Sequence, residues 1–172
     1  LRGWEWGRMQ YLCNRHKLSF PISSTPVTAA MNVDGSLIAA SGRAGPIILW
    51  NGRTGKELRR LAGFEGGIVS LALSGDGRKL VTAGNDSIVR VWNVDTAHED
   101  RHLTGHTKAI TSVAISDDGA VVAAGSWDMT ASVWDSATGE RLHTLRGHSG
   151  VILAVALSAD GLALSSMAAA FG

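Results

Sequence analysis

An internal repeat of 42 residues dominates this sequence and limits what the chain can fold into. The pair Asp-Gly recurs in one register, at Asp34-Gly35, Asp76-Gly77, Asp118-Gly119 and Asp160-Gly161. The same interval separates Trp50, Trp92 and Trp134, and it also separates Gly63, Gly105 and Gly147. Three independent series without an insertion indicate a repeat architecture, in which each period is one structural unit that packs against its neighbours.

Each period has the pattern of four short β-strands, because small or β-branched apolar residues alternate with turn-forming residues. The first strand is a nearly continuous apolar run, such as Ile110 to Ser116, which predicts an innermost strand buried on both faces. The Asp-Gly pair after it predicts a tight hairpin turn, since glycine tolerates the positive φ that such turns require. The remaining strands of this period are predicted at Ala120 to Ser126, Ala131 to Asp135 and, as a charged outer strand, Glu140 to Leu145.

These residues resemble the WD-repeat (WD40-type) β-propeller family. The resemblance rests on Gly-His pairs, on an aspartate in the turn before the third strand and on a tryptophan near the end of that strand. The matching residues are Gly105-His106, Gly147-His148, Asp86, Asp128 and Trp134-Asp135, with Trp50-Asn51 and Trp92-Asn93 as close variants. The resemblance covers residues 26 to 167. It implies an all-β toroid of four-stranded antiparallel blades, in which each sequence repeat supplies the outer strand of one blade and three inner strands of the next.

The period does not cover the whole chain. Residues 1–25 break the register and are assigned to a non-repeat N-terminal segment. The repeats are assigned to residues 26–67, 68–109 and 110–150, with a truncated fourth repeat at 151–172. Because propellers hide their strand edges by closing a ring of typically about 4–8 blades, we expect an open arc rather than a closed ring. Open edges favour either membership of a longer propeller or self-association with another copy.

The resemblance also implies a structural role for a recurring set of polar residues. In the family, a buried hydrogen-bond chain runs from histidine to serine or threonine, then to aspartate and tryptophan, and anchors the outer turns of a blade. The matching residues are Thr82, Asp86, Trp92, His106, Ser126, Asp128, Trp134 and His148. Three departures predict partial networks: Ala44 at the turn aspartate, Phe64 at the histidine, and Ala124 at the hydroxyl, where Ser126 would have to substitute.

Residues with a catalytic appearance are better explained as architecture. His106, Asp128 and a nearby strand hydroxyl have the residue types of a hydrolase triad, but they recur with the repeat, which indicates a structural role. The sequence has neither a phosphate-binding glycine loop with lysine nor a nucleophile elbow. A polar cluster at His98, Glu99, Asp100, His102 and His106 matches no zinc-binding spacing. We therefore expect no enzymatic activity, no metal and no other cofactor.

Composition argues against several partner classes. Sixteen Lys and Arg against fifteen Asp and Glu give a net charge of +1, and the arginines are not interleaved with aromatic residues, so nucleic acid is disfavoured. No stretch of the sequence has the length of a membrane span, so no membrane partner is expected. The single cysteine, Cys13, excludes an internal disulfide and fits a reducing intracellular compartment, cytoplasmic or nuclear, without naming one.

Protein binding is the function class that the sequence favours. The turn before the third strand and the Gly-His loop should lie on one rim of the torus. Trp127 is the leading candidate there, because tryptophan is enriched in interface hot spots and its counterparts are Arg43 and Asn85. Lys108 and Ser149 complete the predicted partner-binding set. An equally weighted alternative is that Trp127 folds over its neighbour and caps the blade.

The sequence thus predicts a scaffold that recruits other proteins, of unknown identity, through this rim. Two alternatives stay open at this point. In the first, the repeats are a regulatory or sensor region of a larger signalling enzyme whose catalytic domain lies outside this chain. In the second, the chain is a gene-model fragment without independent function. The fold does not choose among them, because one fold hosts many functions.

Overall fold

A computed structural model describes residues 26–42, 46–61 and 67–169 of the chain, and these residues form strands joined by turns. The first two groups of strands are β1 (Pro26–Met31), β2 (Leu37–Gly42), β3 (Ile47–Asn51), β4 (Glu57–Leu61), β5 (Ile68–Leu73), β6 (Lys79–Gly84), β7 (Val89–Asn93) and β8 (His98–Leu103). The others are β9 (Ile110–Ile115), β10 (Val121–Ser126), β11 (Ala131–Asp135), β12 (Arg141–Leu145), β13 (Ile152–Leu157) and β14 (Leu164–Ala168). Within the described ranges, no helix has the length and apolarity that crossing a membrane requires.

The strands form a series of antiparallel meanders. The sheets have the orders β1-β2-β3-β4, β5-β6-β7-β8 and β9-β10-β11-β12, and β13 pairs with β14 in a two-stranded hairpin. No sheet in the described part of the chain closes on itself. The predicted fold class, an all-β partial propeller with an open arc of four-stranded blades, is confirmed. We call the three sheets blades 1, 2 and 3, and the hairpin the half-blade.

The Asp-Gly turns join the first and second strands of each blade. Their glycines have φ values of 69°, 71°, 69° and 72°, in the left-handed region that favours glycine. The aspartate closes the turn: in blade 3 Ser116 Oγ donates to Asp118 Oδ1 at 2.6 Å, and the backbone N–H of Ala120 donates to the same oxygen at 2.9 Å. These two hydrogen bonds hold the pKa of Asp118 below its ordinary value, so the turn is fixed by an ionised carboxylate.

The two largest buried hydrophobic clusters lie between neighbouring blades. One buried cluster joins Leu49 and Leu61 of blade 1 to Leu71 and Leu80 of blade 2, and a second cluster joins blades 2 and 3 in the same way. Hydrogen bonds repeat the arrangement around the inner strands. The N–H of Val113 donates to Ser70 Oγ at 3.1 Å, and one repeat later the N–H of Val155 donates to Ser112 Oγ at 3.2 Å. Each blade is therefore stabilised mainly by the next one, as in other repeat proteins.

The prediction that the innermost strand is buried on both faces is wrong. In β9 only Ile110 and Val113 are fully buried, whereas five of the six residues of β10 are buried. The difference in burial follows from the position of each strand in its sheet. The strand β9 is the inner edge of its sheet, while β10 lies between β9 and β11 and has a neighbouring blade against its faces. The apolar character of the first strand reflects packing against the adjacent inner strands rather than complete burial.

Candidate functional site

The turn that carries Trp127 lies beside the Gly-His loop on one rim of blade 3. The turn joins β10 to β11, and the loop joins β8 to β9. The N–H of Trp127 donates to the carbonyl of Ala109 at 3.0 Å, and the N–H of Thr107 donates to Asp128 Oδ2 at 3.0 Å. The two segments are thus held together by one hydrogen bond between their backbones and by one from a backbone N–H to the side chain of Asp128.

The side chain of Trp127 stands at the tip of this turn with 51% of its surface exposed. Met129, two residues later, is 42% exposed and has a φ of 68°, an unusual conformation for a side chain of its size. Lys108 is exposed on the adjoining loop. The rim of blade 3 therefore presents an aromatic ring, a thioether and an ammonium group to solvent.

The other residues predicted for partner binding lie at the corresponding places of their own repeats. Asn85 is exposed in the turn between β6 and β7, and Ser149 is exposed in the loop between β12 and β13. Arg43 lies outside the described residues, as do Ala44 and Phe64. The structure thus places four of the five predicted residues at exposed loop positions.

Below the tip, His106 and Asp128 form a buried pair. Nδ1 of His106 lies 2.8 Å from Asp128 Oδ2, and the side chains of the two residues are 1% and 10% exposed. Thr130 Oγ1 donates to the other carboxylate oxygen at 2.6 Å. Burial acts to raise the pKa of Asp128, but hydrogen bonds from Thr130, from the N–H of Thr107 and from His106 outweigh it and lower the pKa to about 2. The turn is therefore anchored by a carboxylate.

Ser126 strengthens the same anchor, although not in the way predicted. Its hydroxyl lies 3.0 Å from the carbonyl oxygens of Lys108 and Ala109, and it accepts the N–H of Asp128 at 3.1 Å. Ser126 thus joins the turn to the Gly-His loop. It does not substitute for the hydroxyl missing at Ala124, because Nε1 of Trp134 donates instead to the carbonyl of Thr104, at 3.3 Å.

The missing hydroxyl has a visible consequence at His106. Its Nε2 atom is buried and has no hydrogen-bond partner among the described residues, and the ring packs edge-on against Trp134 with centroids 5.6 Å apart. In the half-blade, His148 Nε2 lies 2.8 Å from the hydroxyl of Ser166, the residue one repeat after Ala124. Ser166 was not among the predicted network residues, although the 42-residue interval from Ala124 leads to it.

In blade 2 a different residue completes the anchor. Thr82 Oγ1 accepts a hydrogen bond from Trp92 Nε1 at 2.9 Å, so the tryptophan pairs with the hydroxyl directly and not through the aspartate, as the expected order had it. Asp86, whose histidine partner is replaced by phenylalanine, pairs with Arg90 at 2.6 Å, and Arg90 also lies 3.5 Å from Glu99. Arg90 was not among the predicted network residues. The available signal was a cation inside an otherwise apolar strand, two residues before the tryptophan.

The polar cluster of the outer strand of blade 2 serves this ion-pair network. A bulge in the pairing of β7 with β8 places Glu99 opposite Trp92 and His102 opposite Arg90, and Glu99 also contacts His102. Nowhere in the described part of the chain do three or more His, Cys, Asp or Glu side chains form a group suited to a metal ion. Of this cluster, Glu99 pairs with Arg90 and His102 pairs with Glu99, whereas His98 and Asp100 are exposed.

A family model described as "WD domain, G-beta repeat" matches residues 55–93, 98–135 and 139–167. Each of the first two matched segments contains the outer strand of one blade followed by three strands of the next. The first runs over β4 to β7 and the second over β8 to β11, which is the offset that the resemblance implied. The strands β1 to β3 precede the matched segments but form the same meander.

Two of the solved structures with a similar fold illustrate the relationship. One is described as "Structure of U3-55K", with a TM-score of 0.75 and 21% identity over 82% of this chain and 45% of that chain. The other, "Crystal structure of RRP9 WD40 repeats", has a TM-score of 0.75 and 21% identity over 82% of this chain and 44% of that one. At this identity the similarity concerns the fold, and the chain spans less than half the length of either. No curated protein sequence gave a significant match.

Proposed function

The chain belongs to the WD-repeat family, and from this premise we propose that it is a scaffold that binds other proteins through the rim of blade 3 around Trp127. Repeat domains of this kind present extended, preformed surfaces, because each unit is packed rigidly on the next. The binding surface is therefore built from loops, and the packed blades hold these loops in place.

The exposure of Trp127 on a fixed backbone carries the proposal. Tryptophan is enriched among the interface residues that contribute most to binding energy. The N–H of Trp127 is bonded to Ala109, and the next residue, Asp128, is anchored by His106 and Thr130. A half-exposed ring on a turn that is already ordered loses little conformational freedom when a partner covers it, which favours affinity.

Neighbouring side chains suit a protein partner. Met129 offers a flexible, polarizable group that adapts to different surfaces, and Lys108 supplies a positive charge at the edge of the apolar tip. By contrast, the His106 and Asp128 side chains are buried behind the tip, where their contacts serve the turn. This burial supports a structural rather than a catalytic role for the pair.

The test is partner capture with the full chain and with Trp127→Asn, a change that copies Asn85 of the sibling turn and so preserves the fold of the turn. Leu162→Asn is the matched control, because Leu162 is 87% exposed but lies at an Asp-Gly turn, at the other end of the strands. We expect a captured partner, once purified, to bind Trp127→Asn at least about tenfold more weakly. Equal affinity for the wild type and Trp127→Asn would refute the proposed surface.

A further inference from the structure

A groove of about 500 Å³ lies between blades 1 and 2, beside their Asp-Gly turns. Its floor is apolar and includes Leu37, Leu49 and Val94, which are all buried or nearly so. Asp76 and Asp95 lie on its border. Since the Asp-Gly turns are at the opposite end of the strands from the turn of Trp127, this groove is separate from the proposed partner-binding rim.

The same groove recurs between blades 2 and 3, where a lysine of the chain itself fills it. There Lys79 extends from the start of β6, and its Nζ donates to the carbonyl of Gly119 at 3.0 Å and to Ser136 Oγ at 2.7 Å. The space that is left measures about 330 Å³. The second groove therefore shows which kind of side chain this interblade site accepts.

Leu37 occupies the place of Lys79 in the groove between blades 1 and 2. Cδ2 of Leu37 packs against Gly77 much as Cδ of Lys79 packs against Gly119. The leucine ends at this point, whereas the lysine continues through Cε to its ammonium group. The groove between blades 1 and 2 thus retains a carbonyl, that of Gly77, at the position where its counterpart binds an ammonium group.

The charges around this position complement a cation. Asp76 is the counterpart of Asp118, which directly precedes Gly119, the residue whose carbonyl accepts from Lys79. Asp95 adds a carboxylate that has no hydrogen bond or ion pair with another described side chain. Arg59 also lines the groove between blades 1 and 2, and the filled groove shows that an arginine at this place is compatible with a bound ammonium group. The counterpart of Arg59 is Arg101, which lines the filled groove together with Lys79 and donates its Nε to the carbonyl of Ala137 at 3.0 Å.

We propose that the groove between blades 1 and 2 binds a lysine side chain from a basic peptide segment of a partner protein. The aliphatic part of that lysine lies on Leu37 and Val94, and its ammonium group donates to the carbonyl of Gly77 between Asp76 and Asp95. Long cationic side chains bury their methylene groups while keeping the charged end near polar groups, as Lys79 does one repeat later. An anionic ligand would instead meet the two carboxylates.

The test uses the full chain and two synthetic peptides, acetyl-Gly-Leu-Lys-Leu-Gly-amide and the same peptide with an acetylated lysine side chain. Binding is followed by amide NMR chemical shifts. We expect the lysine peptide to shift the signals of Gly77, Val94 and Asp95, and the acetylated peptide to leave them unchanged. Because the attraction is between charges near the surface, added salt should weaken it.

Variants locate the site. Asp95→Asn should weaken binding about two- to fivefold, the effect of one partly exposed charge pair. Asp100→Asn removes an exposed carboxylate from the filled groove and should leave the binding of the peptide unchanged. Leu37→Lys would place an ammonium group in the groove and should abolish peptide binding. Leu37 packs in the core, so if Leu37→Lys does not fold, the comparison of Asp95→Asn with Asp100→Asn decides the result. Equal shifts with both peptides, no shifts at all, or equal effects of Asp95→Asn and Asp100→Asn would overturn the proposal.

Discussion

His148 Nε2 and Ser166 Oγ lie 2.8 Å apart, and this contact is the one that the preceding repeat lacks. One repeat earlier the same positions hold His106 and Ala124, and Nε2 of His106 is buried without a partner in the described structure. In blade 2 the hydroxyl is present as Thr82 and accepts Trp92 instead. The repeats therefore contain different parts of one hydrogen-bond chain.

Restoring the hydroxyl should stabilise blade 3. We expect Ala124→Ser to raise the free energy of unfolding by about 1–2 kcal/mol, because a buried polar atom without a partner costs about 1–3 kcal/mol. The new hydroxyl would accept from or donate to His106 Nε2, as Ser166 does with His148. Urea denaturation of the wild type and the variant measures the change.

Ala123→Ser is the control for this change. Ala123 is as fully buried as Ala124 but lies on the opposite face of β10, away from the histidine. A hydroxyl there gains no such partner and should destabilise the chain. If the two serine variants have the same stability, the unpaired nitrogen of His106 is not the cause of the effect.

Much of the fold followed from the repeat because strand and turn signals are local. The third strand of blade 3 was predicted at Ala131 to Asp135 and is found there, and the second begins at Val121 rather than Ala120. These boundaries depend on apolar alternation and on the Asp-Gly turn, which the sequence displays directly. Burial of the inner strand was mispredicted because its apolar run was read as burial on both faces, whereas the strand is the inner edge of its sheet and packs on the inner strands of its neighbours.

Arg90 should be essential to blade 2. We expect Arg90→Met to lower the free energy of unfolding by about 1–3 kcal/mol, because two acidic groups that are largely buried would lose their cation. The side chains of Asp86 and Glu99 are each 25% exposed, and that of Arg90 is 13% exposed. Thermal or urea denaturation measures the loss.

The chain offers a matched control in blade 1. Arg60 pairs with Glu57 at 2.6 Å, but the two side chains are 56% and 39% exposed. Arg60→Met should therefore lower the free energy of unfolding much less than Arg90→Met, because exposed ion pairs are screened by solvent and contribute little. A loss in Arg90→Met that is as small as the loss in Arg60→Met would show that the network around Arg90 adds nothing beyond a surface ion pair.

The network around Arg90 could not be predicted because it depends on strand register. Glu99 reaches Arg90 because a bulge between Val91 and Trp92 shifts the pairing of β7 with β8 and places Glu99 opposite Trp92. A bulge at the corresponding place in blade 1 brings Glu57 and Arg60 together. The bulge is therefore repeated from blade to blade, while the side chains that pair beside it differ. Periodicity reveals the position of such a pair, whereas the structure is needed to show which side chains share a face.

The lowered pKa of Asp128 predicts an acid-sensitive contribution to stability. Since the pKa falls from 3.8 to about 2 on folding, the unfolded state takes up a proton at a higher pH than the folded state. The contribution is fully present above about pH 4, amounts to about 2 kcal/mol, and is lost as the pH falls towards 2. Urea denaturation at several pH values should show this loss in the wild type and a smaller loss in Asp128→Asn. Parallel pH profiles for the two proteins would contradict the assignment.

Exposed flanks at both ends of the arc lead us to propose self-association of this chain. In β1 the residues Val27 and Met31 are exposed, while Ala30 of the opposite face packs towards blade 2. In β14 Met167 is exposed, while Leu164 packs towards blade 3, and the outer edge of this strand pairs with no described strand. Such apolar faces and free edges favour pairing with another chain.

Light scattering across a range of protein concentrations tests this association. We expect the mean mass of the wild type to rise with concentration, and Met31→Lys combined with Met167→Lys to reduce the rise, because charges on an open strand oppose pairing. Leu142→Lys is the matched control: Leu142 is 45% exposed but lies on β12, the outer strand of blade 3, rather than on either flank. If the wild type stays monomeric at every concentration, or if Leu142→Lys has the same effect as the flank variant, the flanks are not where copies of the chain meet.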